Sequence, residues 1–280
     1  IYNRSTGERL IVTLDVGQNE VYMPGFTASA MPRKPAIPGS MDGLAGACFV
    51  GSFSPARAMP RYISCASRLT RGHTPIVDTD GWVAPGRGLE SKLLAARAVG
   101  VDRILAIGLS PEAVRLFEAE GLDVVVLDRL AGSEKSREER RLHRDRLMAS
   151  KLAGGKVKPY SVDEVPVVGA PVFTGSPLDR EALKGIDPRA VYGEAQDDGI
   201  VIVSRGRPRM PGVRALRPGW EEGLIAALWP RSGVPVPGVV ARVDYQRRRV
   251  MVYSSSHPES VRLLEIGVDR VDLKPFMGKA

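Results

Sequence analysis

Histidine and cysteine are scarce in this sequence. Its 280 residues include three histidines, His73, His143 and His257, set far apart, and two cysteines, Cys48 and Cys65. Histidines so scattered argue against a His-built zinc site. Two cysteines make neither a disulfide framework nor a four-thiolate metal site, and their number points to a reducing, cytosolic compartment. No run approaches the ~18 consecutive apolar residues that a membrane-spanning helix needs, so an integral membrane protein is not expected. The first residues show no basic stretch leading into an apolar one, and no secretory leader is read there. Also missing is the phosphate loop Gly-x-x-x-x-Gly-Lys-Ser/Thr. Gly86-Arg-Gly88-Leu-Glu-Ser-Lys92 has the glycines without the spacing. Gly154-Gly155-Lys156-Val157 lacks the hydroxyl residue and follows no strand.

Basic side chains, by contrast, are plentiful. Lys and Arg number 40 against 32 acids, a net charge of +8, and 31 of the 40 are arginine. Arginine suits planar, bidentate contacts to phosphate, which makes nucleic acid the first partner to consider. Arginine excess with 22 prolines equally fits a GC-rich genome or a thermophile. A hydrophobic content of 43% and a charged content of 26% describe a globular protein able to bury a core.

Residues 9–15 (Arg-Leu-Ile-Val-Thr-Leu-Asp) predict a short buried strand ending in an acid, and 16–42, rich in Gly, Pro and Met, a loop. Strands are expected at 47–52, 74–79, 102–108 and 122–127, with helices near 56–70 and 88–99. The helix at 88–99 carries Leu89, Leu93, Leu94 and Ala96 with Lys and Arg between. Ser110 predicts a helix N-cap with Pro111 at the first helical position. Apolar strands alternating with helices predict an α/β fold whose parallel sheet is covered on both faces. After about residue 155 strands and turn residues dominate. Val201–Ser204, Val234–Asp244, Val250–Tyr253 and Val261–Ile266 read as strands of a smaller β-rich domain, with a hairpin over Asp244–Tyr253. The expected division is 1–157 and 158–280.

Four segments could carry chemistry. Asp15, in Leu-Asp-Val-Gly-Gln, ends a buried strand where open α/β sheets bind ligands. Such an acid can organise Mg²⁺ or activate an attacking group, and it can equally cap the next turn. Phe49-Val-Gly-Ser-Phe-Ser-Pro55 is a strand-to-helix turn of small residues that either admits a phosphate or is a plain turn. Thr79-Asp-Gly-Trp82 sets a Trp on a Gly-flanked turn, as a base-stacking platform or as core filler. Its neighbours Asp80 and Gly81 are poor core company, which favours display. The run 134–151 holds 7 basic and 4 acidic residues in 18 positions, with Arg137, Arg141 and Arg144 on one helical face. A phosphate-closing lid and a solvated, salt-bridged face fit it equally.

Taken in order, Asp-x-Gly-Gln, Phe-x-Gly-Ser-x-Ser-Pro, Thr-x-Gly-Trp and the Arg-rich run resemble the polynucleotide 5′-hydroxyl kinase family, in an archaeal-like form, over nearly the whole chain. The family's eukaryotic relatives act in pre-mRNA cleavage and polyadenylation, tRNA splicing and ribosomal-RNA processing. The resemblance implies a P-loop NTPase-type sheet, with transfer of the γ-phosphate of ATP to the 5′-hydroxyl of RNA or DNA with Mg²⁺. It also implies roles. Asp15, with Gln18, faces the 5′-hydroxyl as base or metal organiser. Thr79 and Trp82 clasp the substrate end. Arg141 and Arg144, in a lid over 134–151, meet the transferring phosphoryl group.

The sequence departs from the family twice. Thr13 stands where a second acid is common. The phosphate loop is absent, and only eight residues precede the strand at 9–15, too few for the crossover of at least ~10–12 residues that should lead into it. The chain opens on Ile1, which is expected to lie inside a longer protein or at a misassigned start. The alternatives are a non-catalytic RNA-binding or scaffold relative, and a P-loop ATPase of another kind that would leave the Trp turn and basic run unexplained.

Overall fold

The computed structural model describes residues 9–32, 43–128, 136–206, 208 and 210–277. The chain divides into two compact units, Ile1–Met148 and Ala149–Ala280.

In the first unit the strands are β1 (Ile11–Thr13), β2 (Phe26–Ala30), β3 (Leu44–Phe49) and β4 (Ile76–Asp78), in the spatial order β3-β2-β1-β4. Helix α1 (Met59–Thr70) separates β3 from β4, and α2 (Arg87–Val99) follows. The apolar run around β1 is buried at Leu10, Val12, Leu14 and Val16, packed with Val50, Tyr62, Ala66 and Leu69. β1 pairs with β4 in parallel, Thr13 opposite Asp78. β2 falls inside the expected loop and runs antiparallel to both neighbours. Its sequence explains why it is hard to see. Phe26-Thr-Ala-Ser-Ala30 has one large apolar residue, yet all five positions are buried between β1 and β3. Among the described residues no helix links β1 to β2, and two strands joined without a crossover must run antiparallel.

Beyond α2 come β5 (Arg103–Ile107), α3 (Pro111–Ala119) and β6 (Asp123–Leu127), and then α4 (Arg137–Leu152). Ser110 caps α3 as expected, its hydroxyl accepting from Ala113 N at 3.3 Å. β5 and β6 form a separate parallel pair. Parallel strands are ordinarily covered on both faces. Here Leu105 and Ile107, in register with Val125 and Leu127, lie 64% and 63% exposed, while Ala106 on the opposite face is buried. α2 is rotated from the face its leucines suggest: the buried stripe is Gly88, Ser91, Lys92 and Ala95.

Cys48 on β3 and Cys65 on α1 form a disulfide across a sequence separation of 17. One pair is less than a framework, as expected, but the cysteine count no longer argues for a reducing compartment. A loop of that size is stabilised by about 3 kcal/mol through its loss of unfolded-state entropy. Reduction, or joint Cys48→Ala and Cys65→Ala substitution, is therefore expected to lower the melting temperature of the first unit. Calorimetry with and without reductant checks this, and identical melting in the two would show that the staple contributes nothing.

The second unit is β-rich. It contains β7 (Lys156–Ser161), β8 (Val167–Val168), β9 (Ser176–Pro177), α5 (Arg180–Ile186), β10 (Ala190–Gln196), β11 (Gly199–Ser204) and β12 (Val213–Leu216). It continues through β13 (Leu224–Pro230), β14 (Val236–Asp244), β15 (Arg249–Ser254) and β16 (Val261–Arg270). A four-stranded sheet β12-β11-β10-β9 and a six-stranded sheet β7-β15-β14-β13-β16-β8 share one core. Tyr192, Val201 and Val203 come from the first, and Leu228, Val240, Val252 and Ile266 from the second. The hairpin expected over Asp244–Tyr253 is β14–β15, its turn closed by Arg247 N donating to Asp244 Oδ1 at 3.0 Å. Among the described residues no helix is long and apolar enough to cross a membrane.

Candidate active site at the ends of β1 and β4

Because β1 and β4 are parallel neighbours, their carboxyl ends open on the same edge of the sheet. The ladder ends where Leu14 N donates to Asp78 O at 2.8 Å, and both chains then turn away. Asp15 leaves one strand, and Asp78, Thr79 and Asp80 leave the other. This edge is where an α/β sheet presents its ligand-binding loops.

The loop after β1 is held by two side chains that imitate backbone turns. Asp15 Oδ1 accepts from Gly17 N at 2.9 Å and Gln18 N at 3.0 Å. Asn19, fully buried, accepts from Val21 N and Tyr22 N and donates to Phe26 O at 2.8 Å. Asn19 was not visible as a structural residue in the sequence, because one Asn in a polar loop carries no pattern. Gly25, at φ 87°, then closes the loop against the second motif. Its carbonyl accepts from Val50 N and Gly51 N. The Asp-x-Gly-Gln and Gly-Ser-x-Ser-Pro segments are thus brought side by side. A Cβ on Gly17 would stand 3.1 Å from Phe53 O.

The turn after β4 is organised by Asp80. Its Oδ1 accepts from Trp82 N at 2.8 Å, and its Oδ2 lies 2.7 Å from Lys92 Nζ on α2 and 3.4 Å from the Tyr62 hydroxyl on α1. Trp82 is half-buried and Thr79 exposed. The first turn of α2 underlies the indole, since a Cβ on Gly88 would meet Trp82 Nε1 at 3.3 Å. Lys92 and Tyr62 were not singled out from sequence as site residues. The available signal was a lysine at i+4 from Gly88, on the stripe that also carries Ser91 and Ala95.

α4 reaches the same region through two side chains. His143 Nε2 lies 3.1 Å from Glu20 Oε1 in the loop after β1. The Arg144 guanidinium sits 4.8 Å from the centre of the Phe53 ring. Arg141 is not drawn in: it is 75% exposed and lies 3.7 Å from Asp145, one turn along the helix. Asp15, Gln18 and the Thr79–Trp82 turn therefore lie on adjoining loops, Arg144 reaches the loop at Phe53 from α4, and Arg141 lies outside them.

The electrostatics of the site are set first by burial and then by neighbouring carboxylates. Burial raises the Asp15 carboxyl above the ordinary aspartate value against the pull of the Gln18 and Gly17 N–H groups, with the Asp80 charge adding and Lys92 opposing. Asp78 is raised too, first by its surroundings and then by Asp15. Among the described residues no three His, Cys, Asp or Glu side chains are grouped to hold a metal ion. A single carboxylate oxygen still fits Mg²⁺, which commonly takes one or two carboxylates and completes its shell with water and substrate phosphate.

The family described as mRNA cleavage and polyadenylation factor CLP1 P-loop matches residues 2–150. A protein named polyribonucleotide 5′-hydroxyl-kinase from Thermococcus kodakarensis is 31% identical over 215 residues, covering 72% of this chain and 60% of its own length. The chain thus matches less than two thirds of that relative. A protein of the same name from Pyrococcus furiosus is 26% identical over 284 residues, covering 93% of this chain and 78% of its own. Among solved structures, wild-type Clp1p in complex with Pcf11p superposes with a TM-score of 0.60 at 12% identity, covering 96% of this chain and 68% of that one. A second Clp1p structure, describing an extended interface with Pcf11p, gives 0.57 at 12% identity, covering 94% and 68%. At that identity the two structures speak for the fold alone. The family match runs through all four motifs and more than half of the chain, and on that ground the chain belongs to the CLP1 P-loop family.

Proposed function

We propose that this chain supplies the acceptor side of a polynucleotide 5′-hydroxyl kinase, which moves the γ-phosphate of ATP to the 5′-hydroxyl of RNA during RNA processing. The observation that carries this reading is the placement of Asp15 beside the Asp80–Trp82 turn at the ends of two parallel strands. The names of the archaeal relatives support the choice of substrate.

In this reading Trp82 stacks on the terminal base and Thr79 presents its hydroxyl beside it. Asp15 accepts the proton of the 5′-hydroxyl as that oxygen attacks the γ-phosphorus, and the bond to the β-phosphate breaks to release ADP. A half-buried carboxylate with a raised pKa is a better proton acceptor than an exposed one. Its Oδ1 is spent on the turn, so Oδ2 faces the hydroxyl. Arg144 neutralises charge that grows on the transferring group. Where Mg²⁺ binds, Asp15 Oδ2 would be the oxygen that holds it, in place of proton acceptance by that oxygen, and the ion would supply charge neutralisation at the phosphates.

No segment of the 280 residues has the phosphate-loop pattern that cradles β- and γ-phosphates. The chain by itself is therefore expected to transfer little or no labelled phosphate from ATP to a 5′-hydroxyl oligonucleotide. A strand–loop–helix bearing Gly-x-x-x-x-Gly-Lys-Thr, grafted ahead of β1, is expected to produce end-labelling. Robust labelling by the ungrafted chain would show that another element holds the phosphates. A folded graft that binds ATP and oligonucleotide without labelling would count against the kinase reading.

A further inference from the structure

A buried polar knot in the first unit lies one step removed from the residues assigned above. Asp80 and Lys92 form an ion pair in which the side chains are only 11% and 8% exposed. Lys92 arrives from the buried stripe of α2, where its neighbours are Gly88, Ser91 and Ala95. Its ammonium meets Asp80 at 2.7 Å as a charge contact, and among the described residues no acceptor is aligned for a hydrogen bond to it.

Such a pair is a poor device for stability. Removing both charges from water is costly, and well-packed apolar residues of similar volume commonly do as well or better. What the pair does provide is direction. Asp80 spends Oδ1 on the backbone of Trp82 and Oδ2 on α2, with the Tyr62 hydroxyl of α1 also within 3.4 Å of Oδ2. One carboxylate thereby ties the turn to both helices. The same helix that presents Lys92 underlies the indole at Gly88. Rotating the Trp82 backbone would pull Asp80 away from Lys92, whose ion pair with it is 2.7 Å long and whose charge also acts on Asp15 and Asp78.

We propose that Lys92, acting through Asp80 with help from Tyr62, is a positioning residue that sets the angle of the Trp82 indole for the polynucleotide end. This rests on the reading of Trp82 as the group that grips the substrate. Lys92 itself touches no substrate. A lysine kept only for stability could be exchanged, together with its partner, for a neutral pair without consequence for binding. A positioning lysine could not.

The test uses the 280-residue chain, a fluorescent 5′-hydroxyl oligonucleotide read by anisotropy, and acrylamide quenching of tryptophan emission. The Trp82 component is the emission that Trp82→Ala removes, with Trp220 and Trp229 as constant background. The decisive variant is Asp80→Asn with Lys92→Met. It keeps an oxygen to accept from Trp82 N and removes the two opposed charges together, so that their effects on Asp15 and Asp78 offset and its melting should stay near that of the parent. Expected are oligonucleotide binding weaker by about tenfold, similar to Trp82→Ala, and stronger quenching of the Trp82 component. Lys92→Arg keeps a positive charge opposite Asp80 but moves the nitrogen, and should bind at an intermediate affinity. It decides the matter should the double variant melt below the assay temperature. Parental affinity and quenching in the folded variants, beside weakened binding by Trp82→Ala, would overturn the positioning role while leaving the Trp82 reading intact. Parental binding by Trp82→Ala would remove that reading and this inference with it.

Discussion

Asp15→Asn is expected to lower turnover by about 10²–10⁴-fold in the phosphate-loop graft, the range over which a positioned base contributes. The substitution suits the question because it separates two roles of one side chain. Asp15 Oδ1 caps its turn by accepting from Gly17 N and Gln18 N, and the amide oxygen of Asn can accept the same two bonds. Only the charge, the proton-accepting capacity and the metal-ligating strength are lost. Stability should move the other way. An acid whose folded pKa lies above its unfolded value binds its proton more tightly in the folded state, so the ionised form costs stability at neutral pH. That cost appears as pH rises through the ordinary aspartate range and is complete above the raised value. Asn removes it, and the variant should melt at or above the parental temperature. Oligonucleotide affinity should stay within about twofold, since a group that acts in the transition state shows its loss in kcat. Steady-state kinetics, anisotropy and melting on the same preparations check all three. A variant that turns over normally would mean that Asp15 only caps its turn.

Arg144→Ala is expected to depress turnover on the order of 100-fold, with Arg141→Ala far milder. The sequence treats the two alike, as members of one helical face. The structure distinguishes them, since Arg144 lies over the ring of Phe53, whose carbonyl adjoins Gly17, and Arg141 is exposed near Asp145. The competing role for Arg144 is to anchor α4 to the loop after β3. A surface cation–π contact is worth roughly 0.5–1 kcal/mol, so anchoring alone predicts a small drop in melting temperature and unchanged chemistry. Arg144→Lys adds a second discriminator, because it keeps the charge and loses the planar fork that matches a phosphoryl group. Equal losses for Arg141→Ala and Arg144→Ala would mean that α4 moves as a lid in a way its present pose does not display.

The legible elements were those governed by local rules. Ser110 and Pro111 mark the start of α3 because a cap and a fixed φ act within one turn. β4, β5, β6 and the β14–β15 hairpin follow from short apolar runs ended by turn residues. Features that depend on distant partners were not legible. Phe26-Thr-Ala-Ser-Ala30 becomes a central strand only because β1 and β3 flank it, and its small side chains give no period-two signal of their own. Lys92 reads as a surface charge until α2 is rotated so that its leucines are half-exposed and its glycine, serine and lysine face inward. Cys48 and Cys65 become a staple because α1 packs on β3, a contact that neither cysteine announces. The site motifs could be named from sequence because each is a compact run. How Asp80 ties the Trp82 turn to two helices could not, since its partners come from 18 residues upstream on α1 and 12 residues downstream on α2.

The kinase reading rests most directly on where a labelled phosphate ends up. The phosphate-loop graft, incubated with γ-labelled ATP and a 5′-hydroxyl RNA, should place label on the 5′ end, removable by phosphatase, and the same graft with Asp15→Asn should place at least about 100-fold less there per unit time. Equal labelling by both proteins, or ATP cleavage with no label on the RNA, would contradict it.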